Sequence, residues 1–280
     1  MNVPRLRTAI PDSRWRLQER AARLALVPTL GALHEGHVSL IRAARERAER
    51  VVVSIFVNPL QFGPNEDFAR YPRNLEADLE ICTAAGVDEV FHPSPEQFYP
   101  AGFQTRLDVT ELSAGLCGAR RPGHFQGVAT VVYRLFQLLQ PDLAFFGEKD
   151  FQQLRVIQRM TLDLGLPVEV QGCPIVRDSA GLAVSSRNQY LSNEERVQAL
   201  SIVRGLREAR AAFSAGERDP QELVERCRGA LRRGGLREDY VEIRDPETLR
   251  PLGAEADWSS RLLVAAFAGK TRLIDNARLG

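Results

Sequence analysis

His34 and His37 stand three residues apart in the segment Pro28-Thr29-Leu30-Gly31-Ala32-Leu33-His34-Glu35-Gly36-His37, just ahead of a stretch in which Val38, Leu40, Ile41, Ala44 and Ala48 share one helical face. Imidazoles at a helix start sit among free backbone N–H groups at the positive end of the helix dipole, an arrangement that attracts anions. The same partial charge favours neutral rings that donate hydrogen bonds. Gly36 leaves room for close approach of a ligand such as an adenine ring. The spacing alone suits a metal-binding pair or a helix cap equally well, so the remaining residues must decide. Lys149 and Lys270 are the only lysines among 37 basic residues. Lys149, in Gly147-Glu148-Lys149-Asp150, precedes a helical pattern and could reach phosphates as a mobile point charge. Asp150 could cap that helix or hold ribose hydroxyls, and Gln153 follows one turn on. Gln61, in Asn58-Pro59-Leu60-Gln61-Phe62, adds an amide. Ser185-Ser186-Arg187 adds hydroxyls and a guanidinium in a segment whose composition also suits a solvated linker. Such a set of donors suits a phosphate-bearing ligand.

These groups follow apolar runs. Leu24-Ala25-Leu26-Val27 and residues 51–57, 87–91, 143–146 and 168–170 read as buried strands. Residues 74–85, 127–139 and 151–164 read as helices, with Gly86 and Gly165 as stops. Continuous apolar strands alternating with helices predict an α/β fold, a parallel sheet covered by helices on both faces. Ligands bind such sheets beyond the carboxyl ends of the strands, which is where residues 28–37, 58–62, 147–150 and 176–188 are expected. Past Pro174 the pattern changes. Ser192 and Glu195 form a capping box for a long helix. Asp219 and Pro220 open a second helix that ends at Gly234-Gly235. Residues 239–244, 262–268 and 271–277 read as strands, the last two joined as a hairpin through Gly269-Lys270. The expected organisation is a ligand-binding domain over residues 1–173 and a smaller α+β domain over 174–280.

Charge is nearly balanced, 37 basic against 36 acidic residues, so no field advertises nucleic acid or anionic lipid. From Pro174 onward 18 basic residues meet 16 acidic ones, which is no footprint for an RNA-binding domain. Cys82, Cys117, Cys173 and Cys227 are far apart, arguing against zinc and against a disulfide framework, and fitting a reducing cytoplasm. No apolar stretch approaches the length of a membrane span. Residues 5–23 are Arg-rich but carry Asp12 and Glu19, and read as a first helix rather than a targeting peptide. Gly269-Lys270-Thr271 looks like the tail of a P-loop, but position 264 is valine where that loop needs glycine. His92, before Pro93, reads as a turn histidine.

The 28–37 segment, together with Phe56-Val57-Asn58-Pro59-Leu60-Gln61-Phe62, Phe145-Phe146-Gly147-Glu148-Lys149-Asp150 and Ser185-Ser186-Arg187-Asn188, closely resembles the pantoate–β-alanine ligase family. Tyr71-Pro72-Arg73 and Arg121-Pro122-Gly123-His124-Phe125 are similar to that family too. His34-Glu35-Gly36-His37 and Ser185-Ser186-Arg187 also resemble the two signatures of class I aminoacyl-tRNA synthetases, but Ala183 stands where that signature has lysine. The resemblance implies a nucleotidylyltransferase-type Rossmann-like domain, a mobile C-terminal lid and a cytoplasmic homodimer. It implies a ligase that condenses (R)-pantoate with β-alanine through a pantoyl-adenylate, using ATP with Mg2+ and releasing AMP and pyrophosphate, in coenzyme A biosynthesis. Carried over by motif, Leu30, Gly31, Ala32, Leu33, His34, Glu35, Gly36, His37, Gly147, Glu148, Lys149, Asp150, Val176, Val184, Ser185, Ser186 and Arg187 would form the ATP site. His34, His37, Lys149 and Arg187 would be catalytic, and Gln61 and Gln153 would bind substrate. Asp78 is the candidate carboxylate for the metal. Leu30 and Val184 replace the family's usual methionines at apolar positions, which is expected to tune affinity.

Overall fold

The structure, a computed structural model, describes residues 3–10, 22–64 and 66–280. The chain forms two compact units. The first comprises Met1–Ala114, Gly118–Glu148 and Gln153–Pro174; the second comprises Gly115–Cys117, Lys149–Gln152 and Ile175–Gly280.

The first unit is built on a six-stranded, all-parallel sheet. Its strands are β1 (Arg5–Arg7), β2 (Leu24–Thr29), β3 (Arg50–Ile55), β4 (Glu89–Phe91), β5 (Leu143–Gly147) and β6 (Glu169–Cys173), in the order β1-β4-β3-β2-β5-β6. Consecutive residues on the inner strands are fully enclosed, for example Leu26 and Val27, Val52 and Val53, and Ala144 and Phe145. Neighbouring residues on a strand point to opposite faces, so both faces are covered, as the uninterrupted apolar runs require. On one face Leu40, Ile41 and Ala44 of helix α1 (Glu35–Arg45) pack with Val27, Val53 and Phe145. Helix α2 (Leu75–Ala84) is capped by Asn74, whose side chain accepts the Ala77 amide, and the chain leaves it through Gly86 at φ +75°. Helix α3 (His124–Leu139) begins three residues before the expected Gly127, because Gly123 takes the left-handed conformation that starts it. Helix α4 (Phe151–Asp163) follows β5.

The expected first helix over residues 5–23 is corrected at its start. Residues 5–7 form the edge strand β1, paired in parallel with β4 from Arg5–Glu89 to Arg7–Phe91. The Arg7 guanidinium pairs with the enclosed Glu89 carboxylate. Three residues are too few to show a strand period, and the charge that looks surface-directed in sequence is matched by a buried carboxylate. The remainder of that expected helix, residues 11–21, lies outside the described residues.

The second unit carries a three-stranded antiparallel sheet, β7 (Arg237–Arg244), β8 (Arg261–Ala268) and β9 (Thr271–Arg278), in that order. Helices α5 (Asn193–Ser214) and α6 (Pro220–Arg233) pack on it and on each other. Ile202, Leu206, Phe213, Leu223, Leu231 and Val264 belong to its core. The capping box is formed: Ser192 N–H donates to Glu195 Oε2 at 2.9 Å and Glu195 N–H to Ser192 Oγ at 3.1 Å. Ala268 pairs with Thr271 across Gly269-Lys270, so the apparent P-loop tail is a hairpin turn.

Candidate active site

The strand order reverses at β2. From there β3 and β4 extend one way, β5 and β6 the other. Crevices at such switch points, beyond the carboxyl ends of the strands, are the usual ligand sites of open parallel sheets. The segments leaving β3, β2 and β5 there are 56–62, 30–37 and 148 onward.

The loop after β2 is held in an uncommon shape. Gly31 has φ +83° and Ala32 φ +51°. A Cβ on Gly31 would lie 3.0 Å from Asp78 Oδ2 and 3.1 Å from Ile55 Cγ2, so only glycine fits. Ala32 in the left-handed region costs roughly 1–2 kcal/mol, and Asp78 offsets it. The Ala32 and Leu33 amides donate to Asp78 Oδ2 at 3.0 Å and Oδ1 at 2.7 Å. Asp78 is 3% exposed. Burial pushes its carboxyl above the usual range, while the two amide bonds and nearby His92 pull the other way. His92 in turn bonds the Ile55 carbonyl at 2.7 Å. With both oxygens engaged by loop amides, Asp78 has the geometry of a loop anchor. Among the described residues no three His, Cys, Asp or Glu side chains cluster as a metal site.

His34 is the N-cap of α1, with extended backbone at φ −147°. Its amide donates to His37 Nδ1 at 3.3 Å, and the two rings stack with centroids 4.0 Å apart. A ring nitrogen that accepts carries no hydrogen; His37 in this geometry is neutral, with its proton on Nε2. Gly36 also has a neighbour within its own chain. A Cβ there would lie 2.9 Å from His34 Cε1 and 3.0 Å from Nδ1, so the space is taken by the His34 ring.

Gln61 lies in a one-turn 3₁₀ segment, Pro59–Gln61, and is 8% exposed. Its Oε1 accepts from Asn58 Nδ2 at 3.1 Å, which leaves its own amide nitrogen to donate. Asn58 is fully enclosed; its Nδ2 also donates to the Gly127 carbonyl at 3.1 Å, and its Oδ1 accepts from Tyr99 Oη at 3.0 Å. Helix α3 reaches this turn through Gly127, where a Cβ would sit 2.2 Å from the Leu60 carbonyl oxygen. The Gln61 carbonyl accepts from His124 Nδ1 at 2.8 Å and from Arg121 Nη2 at 3.3 Å. Arg121 Nη1 lies 2.9 Å from His124 Nε2. Since arginine can only donate, His124 is the Nδ1–H tautomer. Arg121 also grips Glu66 with two bonds, 2.7 and 2.5 Å. Burial pushes the Glu66 carboxyl up, but the Arg121 hydrogen bond and charge leave it below the usual range. Glu66, Asn58, Arg121 and His124 had no assigned role in the sequence reading. The chemistry of the last two was visible in Arg121-Pro122-Gly123-His124, but their partner, a main-chain carbonyl, has no sequence signal. Gln153, on α4, is half-buried.

In the second unit, Lys149 belongs to a 3₁₀ turn, Glu148–Asp150, that leads into α4. Its Nζ stands 3.6 Å from the Asp150 carboxylate and its side chain is 18% exposed. Val176 and Val184 face each other across a narrow hairpin: the Val184 amide donates to the Val176 carbonyl at 2.9 Å, and Arg177 pairs with Ala183. Arg177 is gripped by Asp275 of β9 at 2.6 and 2.9 Å. Ser185 Oγ caps the following turn by accepting the Arg187 amide at 3.3 Å. The 185–187 segment is therefore a structured turn, not a linker. Each unit thus assembles its own subset: residues 30–37, 58–61 and 78 in the first, and residues 149–150 and 176–187 in the second.

A family model described as pantoate-beta-alanine ligase matches residues 2–278. A pantothenate synthetase from Myxococcus xanthus is 56% identical over 266 residues, covering 94% of this chain and 91% of the relative. One from Sulfurihydrogenibium sp. is 54% identical, covering 93% of each chain. The crystal structure of pantothenate synthetase from Thermus thermophilus superposes with a TM-score of 0.91 at 48% identity, over 98% of this chain and 99% of that one. A pantoate-beta-alanine ligase from Francisella tularensis, solved with beta-gamma ATP and beta-alanine, gives a TM-score of 0.81 at 32% identity, over 99% and 98%. The switch-point loops and these matches over nearly the whole chain lead to one conclusion: the chain belongs to the pantoate–β-alanine ligase family, whose members are ligases forming a carbon–nitrogen bond.

Proposed function

We propose that the chain condenses (R)-pantoate with β-alanine in two steps: ATP converts pantoate to pantoyl-adenylate with release of pyrophosphate, and β-alanine then displaces AMP. The observation that carries this reading is the start of α1, where His34 and His37 stack at the carboxyl end of β2 and His37 Nδ1 accepts the His34 amide. A helix N-terminus flanked by imidazoles suits the phosphates of a nucleotide. The Francisella relative's complex with beta-gamma ATP and beta-alanine supports the two co-substrates.

In the first step the pantoate carboxylate oxygen attacks the α-phosphorus and the bond to the pyrophosphate oxygen breaks. Such a transfer asks the protein for positioning and for neutralisation of spreading charge. His34, His37, Lys149 and Arg187 supply donors, with Leu30 to Gly36, Gly147, Glu148, Asp150, Val176, Val184, Ser185 and Ser186 completing the ATP site. Gln61, its amide oriented by Asn58, holds pantoate together with Gln153. In the second step the β-alanine nitrogen attacks the acyl carbon and the bond to the AMP oxygen breaks; the amine proton leaves to solvent or a neighbouring base. The second unit, acting as a lid, keeps water from the adenylate. Mg2+ fits this site as a companion of the nucleotide: it keeps several waters and commonly binds through substrate phosphates. When bound it would add charge neutralisation at the phosphates. A cytoplasmic homodimer is part of the proposal.

The test is exchange of labelled pyrophosphate into ATP, with and without pantoate, in the absence of β-alanine. Pantoate-dependent exchange is expected. Exchange that instead requires a phosphate-bearing acceptor would replace this reading with that of a nucleotidyltransferase. Lys149→Ala is expected to lower the single-turnover rate of adenylate formation about a hundredfold, the scale of one lost charge-assisted transition-state contact; a near-normal rate would remove Lys149 from the site.

A further inference from the structure

The main chain of Lys149 is held by a residue 127 positions away. Asn276 Nδ2, on β9, donates to the Lys149 carbonyl at 3.0 Å. Asn276 is 2% exposed. Its Oδ1 accepts from Arg261 Nε of β8 at 2.7 Å, which fixes the orientation of the amide. The Arg261 guanidinium also lies over the Phe151 ring, 4.1 Å from its centroid, two residues beyond Lys149. The far end of the same short segment is tied as well. Gln152 Oε1 accepts the Cys117 amide at 3.0 Å and Gln152 Nε2 donates to the Gly115 carbonyl at 2.8 Å. Residues 149–152 are thus anchored at both ends by buried amides.

A buried amide is costly unless both its ends are paired. β9 could form its backbone ladder with an apolar residue at position 276. The asparagine side chain adds a bond from Arg261 of β8 and a fixed Lys149 backbone. Lysine is a point charge on a flexible stem, so the reach of its ammonium depends on where its main chain is pinned. A misplacement of about 1 Å at a reacting centre can cost about a hundredfold in rate.

We propose that Asn276 is a positioning residue: oriented by Arg261, it fixes the Lys149 main chain so that the ammonium meets the ATP phosphates. This rests on the assignment of Lys149 to the ATP site.

Asn276→Asp tests it. The substitution is isosteric, keeps an acceptor for Arg261, and replaces the donor to Lys149 with an oxygen that repels its carbonyl. In the full-length enzyme, pantoate-dependent pyrophosphate exchange at saturating ATP is expected to fall about tenfold, with kcat changing more than KM for ATP. A double-mutant cycle separates positioning from a general structural effect. In a Lys149→Ala background the same substitution is expected to cost less than about twofold. An equal loss in both backgrounds, or no loss from Asn276→Asp alone, overturns the proposal. An unchanged rate in Lys149→Ala by itself overturns the Lys149 assignment and this proposal with it, and is read separately from the cycle. Should Asn276→Asp fail to fold, Arg261→Gln enters the same cycle. It is expected to lose about threefold in the native background and nothing in Lys149→Ala; a loss that persists there overturns the proposal.

Discussion

At the scale of single residues, the site depends on atoms that have no room to be anything else. Gly36→Ala places a methyl group 2.9 and 3.0 Å from His34 Cε1 and Nδ1. The ring must give way, which disturbs its stack with His37. Alanine is the better helix former by roughly 1 kcal/mol, so the expected outcome is a split: pyrophosphate exchange falls about tenfold, as for a displaced transition-state donor, while the melting temperature holds or rises. Parallel exchange kinetics and thermal unfolding check this; a loss of activity matched by a loss of stability would count against it. The residue types were legible in the sequence, since histidines, a rare lysine and a Ser-Ser-Arg run announce phosphate chemistry. Their roles were less so. Gly36 stands beside an imidazole of its own chain, and Asp78, the candidate metal carboxylate, also holds the Ala32 and Leu33 amides.

At the scale of elements, helix α3 acts as the wall against which the Gln61 turn is set. Gly127 lets the helix touch the Leu60 and Gln61 backbone, and Arg121 and His124 of the same region hold the Gln61 carbonyl. Gly127→Ala brings a Cβ to 2.2 Å from a carbonyl oxygen and 2.6 Å from an amide nitrogen, neither the end of a flexible side chain. The turn or the helix must shift. The expected cost is about 1–3 kcal/mol of stability, typical of overpacking, together with a rise in the KM for pantoate. Denaturant titration and steady-state kinetics would measure both. An unchanged KM in a destabilised variant would separate the turn from pantoate binding. The element pattern itself was readable: apolar runs, caps and glycine stops placed the strands and long helices within a few residues. β1 escaped because an edge strand of three residues has no period to detect and its pairing partner lies more than eighty residues away.

At the scale of the whole molecule, the four cysteines are all buried thiols spread over both units. Burial, with Asp78 nearby, pushes Cys82 up to about 12, and burial with Glu238, Glu208 and Asp275 pushes Cys227 up to about 12, from an ordinary 9.0. Across that window the folded chain keeps protons that the unfolded chain releases. Stability is therefore unaffected by these groups below pH 9 and falls as pH rises from about 9 toward 12. A thiol reagent at pH 8 is expected to label the native protein slowly and all four cysteines after denaturation; rapid native labelling would contradict the burial. The sequence by itself determined the α/β class, the smaller antiparallel sheet that follows the parallel one, and the family, because hydrophobic period, caps and ligand-facing motifs are local and survive in linear order. Only the tertiary structure decided which distant groups fix those motifs in place. The Asp78 carboxylate on the β2 loop, the Arg121–His124 grip on a carbonyl, and Asn276 beneath Lys149 are side-chain bonds to main-chain atoms. Every residue offers the same main-chain atoms, so only folding selects which one is met.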